Sequence, residues 1–252
     1  MARSRHAGQA ARVRDRRTIG SPLEGPPARP TIALFDIDGT LVSCGGAGRR
    51  AMDRAFADAG APPASTEFDF GGMTDVAIAR QGLRIAGLSD DEGAIASLLD
   101  RYLAFLHEEV PRSVGYQVLP GVREIVDRLL ALGSIAVGLG TGNLARGAEL
   151  KLVPGGLHDR FAFGGFGSDH EERPSLLRIG AERGAARMGR ALSECRVIVI
   201  GDTPRDVSAA HAIGAECVAV ATGRHRTDAL TPAELVLEDL RDPRAYAWIA
   251  SG

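Results

Sequence analysis

The sequence of 252 residues is poor in cysteine and lysine and contains no long hydrophobic run. Its three cysteines are too few and too widely spaced for a disulfide framework or a zinc site. No stretch approaches the roughly 18 consecutive apolar residues of a membrane-spanning helix, and the N-terminus lacks the apolar segment of a signal peptide. We therefore expect a protein of the reducing cytoplasm that has no membrane partner.

Net charge is also nearly absent, since the formal charge is −2 at pH 7. A chain with so little net charge has no global field that would attract nucleic acid or anionic lipid. We expect no nucleic-acid partner, and any anion site must be built locally. The positive side chains are nearly all arginine, because Lys151 is the only lysine, so chemistry that needs a lysine has one candidate residue.

Residues 1–30 differ in composition from the rest of the chain. They contain four prolines and almost no apolar periodicity. Their arginines stand at positions 3, 5, 12, 14, 16, 17 and 29. We predict a disordered, solvated tail. A nucleic-acid or organelle-targeting role is the alternative for an arginine-rich, acid-poor leader.

Four short apolar runs predict buried parallel strands: Thr31–Phe35, Ile135–Leu139, Val197–Ile200 and Cys217–Val220. Each run ends near a polar or glycine-containing turn and is followed by helical periodicity. This alternation is typical of an α/β protein with a doubly wound, Rossmann-like parallel sheet. Ligands of such sheets bind beyond the carboxyl ends of the strands, so the residues that follow each strand are the candidates for a site.

About a hundred residues separate the first two predicted strands, far more than a crossover helix requires. Apolar residues at helical spacing predict two helices in this segment. The first has Ala51, Met52, Ala55, Phe56 and Ala59, and the second has Ile95, Leu98, Leu99, Tyr102, Leu103 and Leu106. We predict that residues 44–117 form an inserted helical cap, and that residues 31–43 and 118–252 form the α/β core.

Asp36 and Asp38 follow the first apolar run directly. Burying two acids there is costly unless a cation shares the site. A magnesium ion would lower the pKa of Asp36 and keep it ionised, ready to attack phosphorus. Asp38 could protonate the leaving alcohol and later take a proton from water. Gly39 permits a sharp turn, so that neighbouring amides, including that of Thr40, could point at a phosphate.

Polar residues also follow the second run, in the sequence Gly140-Thr141-Gly142-Asn143 before a helix that begins near Leu144. A hydroxyl and free amides at a helix N-terminus form an anion cradle. The alternative is that Thr141 only caps the helix.

Asp202 follows the third run, and Asp206 lies four residues further on. This spacing is close to one helical turn, so both carboxylates can face one point and form a second part of a magnesium site. In a compatible alternative, Asp202 or Thr203 caps the next helix, which has Pro204 in its first turn.

These motifs, in this order over residues 31–221, resemble the first, second and fourth motifs of the haloacid dehalogenase-like superfamily. In one subgroup of this family, a helical cap is inserted between the first two motifs. Residues 44–117 lie at this position in the sequence. The resemblance implies Asp36 as the nucleophile, Asp38 as the acid/base whose main-chain carbonyl binds the metal, Thr141 as a phosphate ligand, and Asp202 with Asp206 at the magnesium ion.

The family's third motif is a basic residue, commonly lysine, that balances the charge of nucleophile and phosphate. The segment 167–174 is similar to its form in phosphoglycolate-phosphatase-like members, with Arg173 in the basic position. Arginine suits this role because its planar fork pairs bidentately with carboxylate or phosphate. Lys151 is the competing candidate, and we expect it to be structural.

The residue types exclude some of the activities that are known in this family. Dehalogenases of the family lack an aspartate at the position of Asp38. Phosphonatases need a cap lysine for a Schiff base, and residues 44–117 contain none. We therefore expect Mg²⁺-dependent hydrolysis of a small phosphorylated metabolite through an aspartyl phosphate, as in phosphoglycolate phosphatase. A phosphomutase of the beta-phosphoglucomutase type is the alternative, followed by a receiver-type or non-catalytic phosphate-binding protein.

The segment 70–75 is predicted to be a cap loop that faces the site, because its glycines permit close approach and Thr74 offers a hydroxyl. The alternative is that Thr74 or Asp75 caps the following helix. The sequence leaves the substrate and the oligomeric state open. The predicted phosphate ligands are Gly39, Thr40, Thr74, Thr141, Gly142, Asn143 and Arg173, and the predicted metal ligands are Asp36, Asp38, Asp202 and Asp206.

Overall fold

The computed structural model describes residues 29–251, and its centre is a sheet of six parallel strands with helices on both faces. The tail predicted over residues 1–30 lies outside the described residues, except for Arg29 and Pro30. The strands of the sheet are β1 (Thr31–Phe35), β4 (Ile135–Thr141), β5 (Gly164–Phe166), β6 (Arg196–Gly201), β7 (Glu216–Val220) and β8 (Leu235–Leu237).

The strand order is β5-β4-β1-β6-β7-β8, so the chain first adds strands on one side of β1 and then on the other. This is the doubly wound arrangement, and the order reverses at β1. All five residues of β1 are buried, because helices cover both faces of the sheet. The predicted fold class is confirmed, and the crevice at the carboxyl ends of β1 and β6 is where such a fold binds ligands.

Along the chain, the helices within residues 29–251 lie between strands or after the last strand. They are α1 (Ala47–Asp58), α2 (Asp75–Ile85), α3 (Glu92–Glu109), α4 (Val122–Leu130), α5 (Ala145–Leu152), α6 (Arg173–Arg187), α7 (Pro204–Ala212) and α8 (Pro243–Ala250). None of these is both long enough and apolar enough to cross a membrane.

A short pair of antiparallel strands connects the core to the helices that are inserted after β1. Its strands are β2 (Val42–Cys44) and β3 (Tyr116–Val118), which pair residue by residue. The segment between them, with α1, α2 and α3, is called the helical insertion below. Its apolar stripes face inward, and α1 comes so close to α2 that a Cβ on Gly82 would clash with the ring of Phe56. The insertion therefore has a packed interior and can form one wall of a site.

Candidate active site

Three carboxylates meet at the carboxyl end of the sheet's centre. Asp36 follows β1 and Asp202 follows β6, and the two strands are parallel with Phe35 opposite Ile200. The two acids therefore leave the sheet side by side, and the amide of Asp36 donates to the carbonyl of Ile200 at 2.9 Å. Asp206, in the first turn of α7, completes the cluster. One oxygen from each of the three carboxylates lies within 4.8 Å of the others.

Asp202 is buried with few partners. Thr40 Oγ1 lies 3.5 Å from Asp202 Oδ1, and no other side chain among residues 29–251 donates to this carboxylate. Burial and the neighbouring charges of Asp206 and Asp36 raise the pKa of Asp202 to about 9. Burial likewise raises the pKa of Asp36 to about 6, although the charge of Arg173 opposes this. The cluster thus contains more negative charge than the protein itself compensates.

A divalent cation fits this cluster. Carboxylate oxygens are the ligands that magnesium prefers, and an added positive charge would remove the penalty that raises the pKa of Asp202. The carboxylate of Asp38 does not belong to the cluster, because it points to Lys151 instead. The predicted metal contact of Asp38 through its main-chain carbonyl stays a prediction.

Arg173 supplies the positive charge beside Asp36. It stands at the start of α6, is 8 % exposed, and its Nη2 lies 3.2 Å from Asp36 Oδ1 while also binding Asp206. Burial lowers the pKa of Arg173, but the carboxylates of Asp206 and Asp36 outweigh this and raise it overall. Its Nε is buried and has no acceptor among the described residues. A charged guanidinium nitrogen without a partner is costly in a buried position, so Arg173 carries hydrogen-bonding capacity that the described residues do not use.

Lys151, for which we expect a structural role, also lies in the site. Its Nζ donates to Asp38 Oδ2 at 2.6 Å and to Asn143 Oδ1 at 2.5 Å. Burial lowers the pKa of Lys151, but Asp38 leads the neighbours that outweigh it, so the pKa lies well above its usual value. Arg173 and Lys151 thus have separate partners in the site: Arg173 lies beside the nucleophile candidate Asp36, and Lys151 lies beside Asp38.

Replacing Lys151 with methionine is expected to lower the free energy of unfolding by about 2 kcal/mol. The change leaves Asn143 Oδ1 buried without its donor, whereas the half-exposed Asp38 can turn to water. Urea denaturation measures the difference. Arg146→Met on the same helix is the control, because it breaks only an exposed pair with Glu149 and should cost less than about 0.5 kcal/mol. Equal losses for the two variants would contradict the placement of Lys151.

The loop after β4 carries the polar groups that were predicted there. Thr141 is fully buried, and its Oγ1 accepts from the amide and from Nδ2 of Asn143 at 3.3 and 2.9 Å. Thr141 itself does not line the cavity described below, so its role as a phosphate ligand stays a prediction. The side chain of Asn143 turns to Asp38 Oδ2 at 2.9 Å. Gly142 and Asn143 both line this cavity.

Two predicted phosphate contacts are not present. The amides of Gly39 and Thr40 bond to the carbonyls of Val42 and Ile37 within their own turn, so they do not point at a ligand. Gly39 has a φ of 84°, and a Cβ there would collide with Asp202. Its role is therefore to let the backbone pass beside that carboxylate.

The prediction of a Thr74 hydroxyl in the site is also wrong. Thr74 is the N-cap of α2, where its Oγ1 accepts from the amide of Ala77 at 3.1 Å and donates to the carbonyl of Glu171 at 2.8 Å. The hydroxyl hydrogen is therefore already used, and Thr74 takes the alternative role of a helix cap. The neighbouring Asp75, the last residue of the segment predicted to face the site, is buried and lines the cavity.

A cavity of about 440 Å³ lies in front of the carboxylates. The core contributes its floor, including Asp36, Asp38 and Arg173, and the helical insertion contributes the opposite wall. This volume suits a small metabolite. The segment 70–75, predicted to face the site, contributes Phe70 and Met73 to this wall. Sequence reasoning missed Arg49, Ile78 and Tyr102, because ordinary helix periodicity accounts for them.

The chain has relatives of known family. The family model described as haloacid dehalogenase-like hydrolase matches residues 30–214. The chain is 28% identical over 226 residues to a phosphoglycolate phosphatase of Pseudomonas putida, covering 86% of this chain and 79% of the relative.

Solved structures show the same fold. A predicted phosphatase from Clostridium acetobutylicum has a TM-score of 0.67 at 16% identity and covers 88% of this chain and 99% of its own. A beta-phosphoglucomutase from Clostridium difficile has a TM-score of 0.66 at 15% identity and covers 88% of this chain and 96% of its own. At such identities these two neighbours establish the fold alone.

Proposed function

Because the chain belongs to the haloacid dehalogenase-like hydrolase family, we propose that it is a phosphatase that hydrolyses a phosphate monoester of a small metabolite with the help of Mg²⁺. The observation that carries this proposal is the position of Asp36, which belongs to the cluster of three carboxylates and pairs with Arg173 at the floor of a cavity of about 440 Å³. The relatives named phosphoglycolate phosphatase support a small phosphorylated substrate.

In this proposal Asp36 and Asp202 hold the metal with the main-chain carbonyl of Asp38, and Asp206 supports them. Both oxygens of Asp206 already accept hydrogen bonds, from Arg173 and from Thr203. Asp206 therefore orients the arginine and caps α7 rather than offering a free oxygen. When bound, the cation would neutralise phosphate charge and polarise a phosphoryl oxygen.

The protein's own groups perform the transfer in two steps. A carboxylate oxygen of Asp36 attacks phosphorus, the bond from phosphorus to the ester oxygen breaks, and Asp38 protonates the departing alcohol. Water then attacks the phosphorus of the aspartyl phosphate and gives a proton to Asp38, while the bond between phosphorus and the Asp36 oxygen breaks. Inorganic phosphate leaves, and the carboxylate of Asp36 is restored. Arg173, whose Nη2 lies 3.2 Å from Asp36 Oδ1, balances the negative charge of the phosphoryl group beside the nucleophile. Asn143 and Lys151 bond only Oδ2 of Asp38, which leaves Oδ1 for the proton.

The proposal is tested by the release of inorganic phosphate from a panel of small phosphate monoesters, after treatment with a chelator and again after addition of Mg²⁺. We expect hydrolysis of at least one ester only when Mg²⁺ is present. If labelled phosphoryl groups move to an added sugar phosphate instead of to water, the protein is a mutase. A panel without turnover of either kind would contradict an enzymatic function.

Mg²⁺ should also stabilise the protein, independently of any substrate. A ligand present at a hundred times its dissociation constant adds about 2.7 kcal/mol to the free energy of unfolding. Thermal denaturation with and without Mg²⁺ measures this effect. The same increase in the Asp202→Asn variant would show that the cation binds elsewhere.

A further inference from the structure

Asp75 is a buried acid of the helical insertion that is in contact with the core. It is the first residue of α2 and is 6 % exposed. Its amide donates to the carbonyl of Gly142 at 2.8 Å, and its Oδ2 accepts from the amide of Leu144 at 2.9 Å. One residue of the insertion thus holds the backbone on both sides of Asn143.

Asn143 in turn holds the proposed acid/base. Its Nδ2 donates to Asp38 Oδ2 at 2.9 Å, and its Oδ1 accepts from Lys151, which bonds the same oxygen of Asp38. Lys151 lies on α5, the helix that begins directly after Leu144. Both groups that fix Asp38 therefore depend on the backbone segment that Asp75 bonds.

The contact between residues 73–75 and the loop after β4 is tight, and residues of the loop itself cannot replace the hydrogen bonds of Asp75. A Cβ on Gly142 would collide with the carbonyl of Met73, so the two backbones touch. Leu144 is the N-cap of α5 and provides no side-chain hydrogen bond to it. Tyr102, from α3, lies beside the same carboxylate, and burial raises the pKa of Asp75 to about 6. The insertion thus places an acid in the core at an energetic cost, which is typical of a functional position.

We propose that Asp75 is a positioning residue that couples closure of the helical insertion over the cavity to the placement of Asp38, acting through Asn143. This inference rests on the proposed phosphatase function. When residues 73–75 lie against the loop, Asn143 and Lys151 hold Asp38 in line with the leaving oxygen. When the insertion moves away, the loop loses two hydrogen bonds and Asp38 loses its fixed orientation.

Substrates with different leaving groups distinguish a positioning role of Asp75 from a role in protein stability alone. An alkyl phosphate needs a proton on its leaving oxygen, whereas p-nitrophenyl phosphate releases an anion that is stable without one. General acid catalysis contributes about 10²- to 10⁴-fold. We expect Asp75→Ala to lower kcat for an alkyl ester by about 30-fold and for the nitrophenyl ester by less than about 3-fold, a partial loss of that contribution. Asp75→Asn, which keeps an acceptor for Leu144, should restore most of the alkyl activity.

Arg80→Met is the matched control. Arg80 belongs to the same helix and pairs with Glu171 of the core at 2.9 Å, so the variant breaks another contact between insertion and core without touching the loop. It should lower both rates by the same small factor. Equal losses of the two rates in Asp75→Ala would overturn the inference, because a merely structural role affects both esters alike.

Hydrogen exchange of the Asn143 side-chain amide provides a readout that does not need turnover. In NMR spectra of the whole protein, these hydrogens should exchange at least about tenfold faster in Asp75→Ala than in the wild type. Their exchange rate in Arg80→Met should equal that of the wild type. Unchanged exchange in Asp75→Ala would overturn the inference even in an active enzyme. An inactive wild type with the expected exchange pattern would refute the phosphatase function and leave the link from Asp75 to Asn143 supported.

Discussion

Asp36→Asn is expected to lower phosphate release by at least about 10⁴-fold and to leave the protein folded. The amide is nearly the same size as the carboxylate but is a poor nucleophile, so no aspartyl phosphate can form. The three acids Asp36, Asp202 and Asp206 repel one another in a buried cluster. Loss of the charge of Asp36 removes part of this repulsion, so the variant should stay folded. Steady-state assays and thermal denaturation measure the two effects.

Asp100→Asn is the control for this substitution, because Asp100 is an exposed residue of α3 away from the cavity. Its activity should equal that of the wild type. Brief reaction with a labelled ester followed by acid quenching should place label on the wild-type protein and none on Asp36→Asn. Turnover of the Asp36→Asn variant above about a tenth of the wild-type rate would exclude Asp36 as the nucleophile.

Asp202→Asn should change activity and stability in opposite directions. Activity in Mg²⁺ should fall by about 10³-fold, because a ligand that places the metal against the phosphate is lost. Without metal, the variant should be more stable than the wild type by about 1 to 2 kcal/mol. The reason is that the wild-type carboxylate is buried beside two other acids and accepts only one long hydrogen bond, at 3.5 Å.

Asp206→Asn is the matched control within the same cluster. Asp206 is fully buried, but it accepts hydrogen bonds from the amide and hydroxyl of Thr203 at 3.0 and 2.7 Å, and it pairs with Arg173. Its replacement should destabilise the metal-free protein by about 3 kcal/mol, because a buried guanidinium loses the charge of one of its two carboxylate partners. Urea denaturation in a chelator compares the two variants. A metal-free Asp202→Asn protein less stable than the wild type would contradict the cation site.

The positions of the main acids could be predicted from the sequence because they depend on short-range patterns. A strand that is buried on both faces must be an apolar run, so Thr31–Phe35 is recognisable and Asp36 must stand at its end. The same holds for β6 and Asp202. The edge strands β5 and β8 were missed, because three residues do not establish a period.

The direction of each side chain could not be predicted, because it depends on partners that are distant in sequence. Lys151 and Asp38 are 113 positions apart, and nothing near either residue indicates that they pair. Asp75 binds the amide of Leu144, 69 positions away. Thr74 illustrates the opposite case, because its local cap on α2 determines its orientation and removes it from the site.

The only ε-amino group of the chain stands inside the cavity, beside Asp38. Amine-directed acylating reagents therefore have a single side-chain target, and that target is shielded by the insertion and held in its protonated form by its neighbours. The rate of its acylation, followed by mass spectrometry, therefore reports how often this amine is both exposed to solvent and deprotonated, without knowledge of the substrate.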